Sequence, residues 1–191
     1  GMDVCMAVKD FFQTGKLLKQ INNTNITLIP KIKHQQSVKD FRPISCCNIV
    51  YKIISKLLCN RLSKVLEDII SPNQSAFIPG RDIMENILIY QDIVKLYGRK
   101  YCSPRVLMKI DLQKAYDTVE WGFVEDMMVA LKCPVVFIQL IMACISTPSF
   151  TISLNGNNLW FFPGKRGLRQ GDPISPLIFT LCMEYLTRLL N

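Results

Sequence analysis

A chain of 191 residues, 49% of them hydrophobic, is long enough to bury the core of one large domain. Its longest apolar run, residues 135–145, is interrupted by Gln139 and is shorter than the ~20 residues of a membrane-spanning helix, so we expect no membrane partner. Eight cysteines without C-x-x-C spacing and a single histidine, His34, argue against a zinc site. Cysteines within apolar runs favour free thiols in a reducing compartment. The sequence leaves the localisation open, with the nucleus or the cytoplasm as the expectation.

The net charge of +8 is distributed unevenly along the chain. Residues 1–64 carry 11 lysines and arginines against three acids, a surplus of eight, whereas residues 65–191 carry 12 residues of each sign. The basic surplus of the first third predicts a surface for a polyanion such as a nucleic acid. A generic solvated basic surface is the alternative interpretation.

The hydrophobic periodicity and the turn residues predict ten helices and strands. In chain order they are a helix over 3–20, a strand over 25–29 closed by Pro30, a helix over 49–70, a helix from an N-cap at Asp82 to about 97, a strand over 105–110, helices over 119–131 and 135–146, strands over 150–154 and 159–162 joined by Asn155-Gly156, and a last helix from Ser175-Pro176. Asn-Gly between two such runs is the strongest short-range hairpin signal. Helices and strands are mixed without strict alternation, which predicts the α+β class.

A single carboxylate, Asp111, closes the apolar run 106–110. A carboxylate at the end of a buried strand is unfavourable unless it is paired or bound to a cation. Mg²⁺ prefers such hard oxygen ligands and completes its shell with water and substrate phosphates. The alternative is an ion pair with Lys109 or Lys114, and Asp117 is interpreted as a structural residue.

The glycine-rich segment 166–171 lies directly ahead of the last predicted helix. Its glycines predict backbone N–H groups that approach a phosphate or a base closely, and the helix N-terminus favours negative charge. A plain connector between hairpin and helix is the alternative. Tyr116 is placed to lie under the sugar of a nucleotide, where bulk distinguishes 2′-H from 2′-OH, or equally to be a core aromatic residue.

Two further groups of residues suit a nucleic-acid or nucleotide ligand. Lys31, Lys33, Lys39 and Arg42 form a basic cluster that suits a triphosphate or a template backbone, although each taken singly is a surface cation. The turn 73–81 combines an aromatic ring with a cation and suits stacking on a base.

Six motifs in this order resemble the reverse transcriptase domain of non-LTR (LINE-type) retrotransposons, of the plant type, from about residue 25 onward. They are Leu28-Ile-Pro-Lys31, Phe41-Arg-Pro-Ile-Ser45, Tyr51-Lys-Ile-Ile-Ser-Lys56, Gln74-Ser-Ala-Phe-Ile-Pro-Gly-Arg81, Lys109-Ile-Asp-Leu-Gln-Lys-Ala-Tyr-Asp117 with Trp121, and Arg166-Gly-Leu-Arg-Gln-Gly-Asp-Pro-Ile-Ser-Pro176. A group II intron maturase is the nearest enzyme alternative, but the fourth and sixth motifs are closer to the LINE type.

The resemblance implies a right-hand polymerase fold, with fingers over about 1–105, an incomplete palm over about 106–191 and no thumb. It implies an RNA template, a DNA primer, dNTP substrates and Mg²⁺, with Mn²⁺ as the alternative ion, and it leaves the oligomeric state open. The implied catalytic residue is Asp111, which binds the metal together with the Leu112 carbonyl. The implied nucleotide contacts are Lys31, Arg42, Tyr116 as the sugar gate, Arg169, Gln170 and Gly171, and the implied template or primer contacts are Lys33, Lys39, Phe77, Gly80 and Arg81.

One departure from the family pattern concerns the catalytic acids. No Asp-Asp pair occurs in the 191 residues, and the family's Phe/Tyr-Ala-Asp-Asp motif is expected to follow Asn191. Because one carboxylate cannot hold two metal ions, we expect the isolated chain to be inactive. A non-catalytic nucleic-acid-binding remnant, or a product that neither folds nor binds, are the alternatives.

Overall fold

The computed structural model describes residues 1–95, 97–99, 106–154 and 157–190. Its elements in chain order are α1 (Met2–Thr14), β1 (Asn23–Pro30), a 3₁₀ turn (Val38–Asp40), β2 (Phe41–Cys47), α2 (Ile49–Ile69), α3 (Ile83–Lys95), α4 (Trp121–Ala130), α5 (Val135–Ser146), β3 (Ser149–Leu154), β4 (Asn157–Pro163) and α6 (Ser175–Leu190). The α+β class is confirmed.

Local capping chemistry sets the ends of the first helices. Helix α1 stops at Thr14 because Gly15 adopts a left-handed conformation (φ 69°) and donates its N–H to the Phe11 carbonyl at 2.8 Å, so the predicted end near Lys19 is wrong. The Asn48 side chain caps α2 by accepting the Val50 N–H at 2.8 Å.

The predicted N-cap of α3 is confirmed. The Asp82 Oδ1 atom accepts the Met84 N–H at 2.9 Å, immediately before the helix begins at Ile83.

The four described strands form one sheet in the order β2-β1-β3-β4. Strand β1 pairs with β2 in antiparallel fashion and with β3 in parallel, so that Ile26 lies between Ser45 and Ile152. Strands β3 and β4 form the predicted hairpin, whose turn residues 155–156 lie outside the described residues. Strand β2 is not among the predicted elements, and it forms because residues 31–40 fold its chain back along β1.

The core is centred on α2, which buries one side against the rest of the chain. The buried residues of this side are Tyr51, Ile54, Ser55, Leu58, Cys59, Leu62 and Leu66. Helix α1 contacts α2, and α6 packs against α2 and α4, so the segment that precedes α6 runs beside the buried side of α2.

The strand predicted over 105–110 is corrected by the structure. Residue 105 lies outside the described residues, and residues 106–110 are irregular and exposed. A strand needs a hydrogen-bonded neighbour, and none of the described strands pairs with this segment. Asp111 therefore follows an exposed segment rather than a buried strand. Among the described helices, none is both long enough and apolar enough to cross a membrane.

Candidate functional site

Backbone hydrogen bonds to neighbouring segments fix the Gly-rich loop (residues 164–171) on two sides. The N–H groups of Gly167 and Leu168 donate to the carbonyls of Val119 and Tyr116, both at 2.8 Å. On the other side the Gln170 carbonyl accepts the Ser45 N–H at 2.8 Å, which covers the outer edge of β2. The loop thus joins the turn before α4 to the sheet.

Two glycines of this loop are required by close approach of chain segments. Gly167 has φ 92°, and a Cβ there would lie 3.1 Å from the Asp117 carbonyl oxygen. Gly171 has φ 104°, and a Cβ there would lie 3.1 Å from the Ser45 carbonyl oxygen. The glycines of this segment were expected to let backbone N–H groups bind a phosphate. This expectation is wrong for the N–H groups of Gly167 and Leu168, because both donate to backbone carbonyls.

A cleft of about 260 Å³ opens beside the loop. Its aromatic wall consists of Phe150 and Phe162, whose ring centroids are 5.9 Å apart. Lys165, Arg166 and Gln170 line it as well. Apolar walls with a few convergent polar groups are typical of ligand sites.

Asp117 and Tyr116 lie next to the loop on the turn before α4. Asp117 is exposed and lines the cleft. The Tyr116 ring is half-buried and stacks on Phe179 of α6, with centroids 5.1 Å apart and planes 15° apart. Burial raises the pKa of the Tyr116 phenol. One face of the Tyr116 ring therefore packs against the core, as in the alternative interpretation of Tyr116 as a core aromatic residue.

Arg169 is buried, and its guanidinium donates hydrogen bonds to other residues of the described protein. Nη1 donates to the Asn22 Oδ1 atom at 2.8 Å and to the Thr24 Oγ1 atom at 3.1 Å, and Nη2 donates to the Cys144 carbonyl at 2.9 Å. The guanidinium also lies 3.9 Å from the ring centroid of Tyr51. Arg169 thus ties the loop to β1, α2 and α5, and it does not face the cleft as a free cation.

Asp172 is the buried partner of Arg169, with 3.3 Å between its Oδ2 and Nη2. Oδ2 accepts the Tyr51 hydroxyl at 2.5 Å, and Oδ1 accepts the Ser55 hydroxyl and the Ile174 N–H. Burial, and then the Asp172 charge, raise the pKa of Tyr51 well above its usual value, so its hydroxyl stays a donor. The Ile174 N–H, just before α6, thus donates to the Asp172 carboxylate, and the Ser175 N–H donates to the Asp172 carbonyl at 3.2 Å. Both N–H groups already have protein acceptors, which corrects the expectation that they attract a phosphate.

Arg81 holds the C-terminal end of α2. Its Nη1 donates to the carbonyls of Ser71 and Gln74 at 2.7 and 2.9 Å, and its Nη2 donates to the carbonyls of Glu67 and Ile70, both at 3.0 Å. A cation on the last carbonyls of a helix is favoured by the helix dipole. Arg81 therefore has a structural role in fixing the turn 71–81.

The same turn presents an aromatic ring to solvent. Phe77 is 58% exposed and has φ 63°, a conformation that is rare for a bulky residue, while its neighbour Ile78 is buried. Gly80 also has a positive φ, of 73°. The turn thus holds Phe77 outward beside the end of α2.

The basic hairpin (Lys31, Lys33, Lys39 and Arg42) is formed by the connection between β1 and β2. All four side chains are exposed. Arg42 pairs in register with Ile29, and Lys31 donates its backbone N–H to the Asp40 carbonyl at 2.7 Å and its Nζ to the Lys39 carbonyl at 2.9 Å. The structure therefore brings Lys31 against Lys39, near the β1–β2 pairing that holds Arg42, and Lys33 lies exposed in the connection between them.

Asp111 and Leu112 offer a carboxylate and a carbonyl on an exposed segment. Mg²⁺ is often bound by one or two carboxylates plus water and substrate phosphates, so this donor set fits part of its shell. Within the described residues, no group of three or more His, Cys, Asp or Glu side chains is arranged to hold a metal ion. The two residues alone therefore do not make a closed metal site.

Sequence reasoning missed the buried polar residues behind the loop. Tyr51 and Ser55 stand four positions apart on α2, so they share one helix face with apolar neighbours. Polar side chains on a buried helix face indicate that they have hydrogen-bond partners inside the protein. The sequence does not indicate which partner, because Asp172 lies more than a hundred residues away along the chain.

Comparisons with known proteins agree with the six motifs. The family model described as reverse transcriptase (RNA-dependent DNA polymerase) matches residues 29–191. Transposon TX1 uncharacterized 149 kDa protein of Xenopus laevis is 26% identical over 96% of this chain and 14% of its own length. The Pol polyprotein of the type-2 retrotransposable element R2DM of Drosophila melanogaster is 27% identical over 92% of this chain, and that of the type-1 element R2 of Nasonia vitripennis is 27% identical over 91%.

The chain spans only 14–17% of the length of these three relatives. The family match covers most of the chain, and the relatives are proteins of transposable elements that support the non-LTR type. The chain belongs to the reverse transcriptase family, as a reverse transcriptase domain of the non-LTR retrotransposon type.

Proposed function

We propose that this chain forms the nucleotide-selecting part of the RNA-directed DNA polymerase of a non-LTR retrotransposon. The observation that carries the proposal is the position of Gln170, which lines the cleft beside Lys165 and Arg166 while its backbone is bonded to β2. A side chain held this way presents an amide to a base or sugar, and the cations beside it favour phosphate. Template-directed transfer by the whole protein is part of this proposal.

The proposed architecture is a right-hand polymerase in which residues up to about 105 are fingers and later residues are palm. Strands β3 and β4 belong to the later part, yet they extend the sheet of β1 and β2. The two parts therefore share one sheet, and we infer that the loop acts at their junction. The plant-type origin of the element stays a prediction.

The basic hairpin is proposed to hold phosphates. Lys31 and Arg42 would contact the triphosphate, and Lys33 and Lys39 the template backbone, as point charges and a guanidinium fork. Their exposure supports this assignment, since none of the four is enclosed by protein.

Phe77 is proposed to stack on a template base, with Gly80 and Arg81 holding its turn. Its outward ring supports this role, because stacking of bases on exposed aromatic rings tolerates every sequence. Arg81 would act through this turn, since its guanidinium already bonds to four carbonyls.

The four other predicted nucleotide contacts belong to the loop and the turn beside it. Gln170 and Gly171 would contact the incoming nucleotide and its template partner, and Tyr116 would limit the space at the sugar. Arg169 is buried, so we assign it a supporting role behind Gln170 rather than a direct contact.

Reverse transcriptases use divalent metal ions, and we propose Mg²⁺, with Mn²⁺ as the alternative, held by Asp111 and the Leu112 carbonyl. When bound, such an ion supplies stabilisation of charge on the reacting oxygens. In the reaction a bond forms between the primer 3′ oxygen and the α-phosphorus of the dNTP, and the bond from that phosphorus to the leaving pyrophosphate breaks. The residues of the cleft and hairpin would orient the template, primer and triphosphate, which reduces the entropic barrier.

The proposal is tested by the fluorescence anisotropy of a labelled RNA–DNA template–primer in Mg²⁺. The complementary dNTP should tighten template–primer binding to the chain, and Gln170→Ala should weaken this effect roughly tenfold, as expected for a lost hydrogen bond. Gln139→Ala, at an exposed position of α5, is the matched control and should behave like wild type. Equal responses of both variants would contradict the role of Gln170.

Primer extension by the chain alone is expected to be absent, because it has no Asp-Asp pair. Robust Mg²⁺-dependent extension would contradict this expectation. The second candidate, a non-catalytic nucleic-acid-binding remnant, is favoured by the exposed basic hairpin. It predicts template–primer binding that no dNTP changes.

A further inference from the structure

We propose that Tyr51, Ser55 and Asp172 are positioning residues that set where Gln170 lies in the cleft. None of the three lines the cleft. They act through the Gly-rich loop, so the identity of the ligand at Gln170 rests on the proposed function, whereas the positioning itself does not.

Helix α2 supplies a hydroxyl donor to each carboxylate oxygen of Asp172. Tyr51 and Ser55, one helical turn apart on α2, both donate their hydroxyls to its carboxylate, one to each oxygen. Each oxygen has one further partner, Arg169 on Oδ2 and the Ile174 N–H on Oδ1. Asp172 is 3% exposed, so water does not compete for these bonds.

Gln170 lies between two residues that are each held by the rest of the protein, Arg169 and Asp172. On one side the Arg169 guanidinium donates to Thr24 of β1 and to the Cys144 carbonyl of α5. On the other side Asp172 is bonded to α2, and the Gln170 carbonyl itself is bonded to Ser45. The backbone of the only intervening residues, Gln170 and Gly171, is thereby held against the sheet.

The groups behind the loop are an ion pair and two hydroxyls rather than apolar side chains. Burial of an ion pair with hydroxyl donors contributes little net stability compared with apolar side chains of the same volume. Hydrogen bonds are directional, so they specify one arrangement of the groups that they join. Here Tyr51 of α2 contacts both Arg169 and Asp172, the residues that flank the Gln170–Gly171 pair. The network (Tyr51, Ser55, Arg169 and Asp172) thus fixes a geometry at the cleft.

The test uses Tyr51→Phe in the full chain, since phenylalanine keeps the ring under Arg169 and removes only the hydroxyl. Hydrogen exchange of the Ser45 amide, which reports its bond to Gln170, should accelerate roughly tenfold, while amides of α4 and α5 keep their protection. The side-chain amide resonances of Gln170 should shift or broaden in the nitrogen-15 spectrum. Tyr185→Phe, at a half-exposed position of α6, is the control and should change neither signal.

Ser55→Ala is the second variant, for the case that Tyr51→Phe lowers stability throughout the chain. It removes the donor on the other carboxylate oxygen and should give the same local loss of protection at Ser45. Unchanged Ser45 exchange and unchanged Gln170 resonances in a folded variant of either kind would overturn the proposal. Both signals are read without ligand, so failure of wild type to respond to a dNTP would contradict the proposed function and leave the positioning intact.

Discussion

Among the ion pairs of the described residues, that of Arg169 with Asp172 has both of its side chains buried. Both side chains are almost fully buried, at 4% and 1% exposure. Removing one partner of such a pair leaves an uncompensated charge in the interior, which costs far more than the pair contributes. The two residues are therefore expected to tolerate joint replacement better than single replacement.

Arg169→Met is predicted to lower the free energy of unfolding by about 3–5 kcal/mol, because Asp172 would stay buried without its cation. Urea denaturation followed by circular dichroism measures the change. Addition of Asp172→Asn should recover part of the loss. The matched control is Arg166→Met, whose ion pair with Glu120 is 57% and 60% exposed, and it should change stability by no more than about 0.5 kcal/mol.

A second residue-scale prediction concerns Gly171. Gly171→Ala is predicted to destabilise the chain by about 1–3 kcal/mol, because the new Cβ meets the Ser45 carbonyl and a positive φ is unfavourable for alanine. Gly122→Ala, where a Cβ meets nothing within 4 Å, should instead be neutral or stabilising, by up to about 1 kcal/mol. Thermal denaturation of both variants checks the sign, and equal effects would contradict the close approach.

At the scale of elements, a carboxylate links α6 to the end of α2. Glu184 accepts the backbone N–H and the hydroxyl of Ser71 at 3.0 and 2.7 Å, and the Arg188 Nε at 2.8 Å. Burial by itself raises the pKa of Glu184, but the bonds from Arg188 and Ser71 outweigh it and hold the pKa below its usual value. The charged form is thus favoured in the folded chain.

The pH dependence of stability follows from this direction. A depressed pKa contributes stability that is present above the unfolded value of about 4.3 and is lost as the pH falls through the lower folded value. Stability of Glu184→Gln should therefore fall less steeply than wild type below about pH 4.3. Denaturation curves at several pH values measure the two slopes, with the exposed Glu125→Gln as control. Parallel curves for wild type and Glu184→Gln would contradict the link.

Helices and strands were predictable where residues close together in the sequence determine them. The bounds of α5 and the β3–β4 hairpin follow from apolar periodicity and an Asn-Gly pair, and both predictions are confirmed. Helix α1 is shorter than predicted because Gly15 outweighs the continuing apolar pattern. Strand β2 and the irregular segment 106–110 depend on which partner strand lies alongside, and periodicity within one segment does not contain that information.

At the scale of the whole molecule, the basic surplus predicts how nucleic acid binds. Template–primer affinity should fall steeply with salt because each phosphate that is neutralised releases counterions. Lys33→Ala combined with Lys39→Ala should reduce the slope of log Kd against log salt by about 1–2. Lys95→Ala, whose lysine already pairs with Asp92, is the control and should leave the slope unchanged. An unchanged slope in the double variant would contradict the role of the basic hairpin.

The sequence indicates which residues belong to the candidate site, but it does not indicate which of them contact other parts of the protein instead of a ligand. The glycines, the basic hairpin and the exposed Phe77 are visible as residue types at fixed spacings. Whether Arg169 or Arg81 faces solvent or a carbonyl depends on contacts formed by folding, and both are used inside the protein. Long-range pairing of Tyr51 with Asp172 likewise arises only when α2 meets the segment before α6.

The most direct test of nucleotide selection compares complementary and non-complementary dNTPs on one sample. The wild-type chain, an RNA–DNA template–primer and Mg²⁺ are mixed, and the nitrogen-15 resonances of Gln170 and Gly171 are followed as each dNTP is added. If Gln170 selects the nucleotide, these resonances shift with the complementary dNTP and not with the others. Equal shifts with every dNTP, or shifts confined to residues outside the cleft and the basic hairpin, would contradict it.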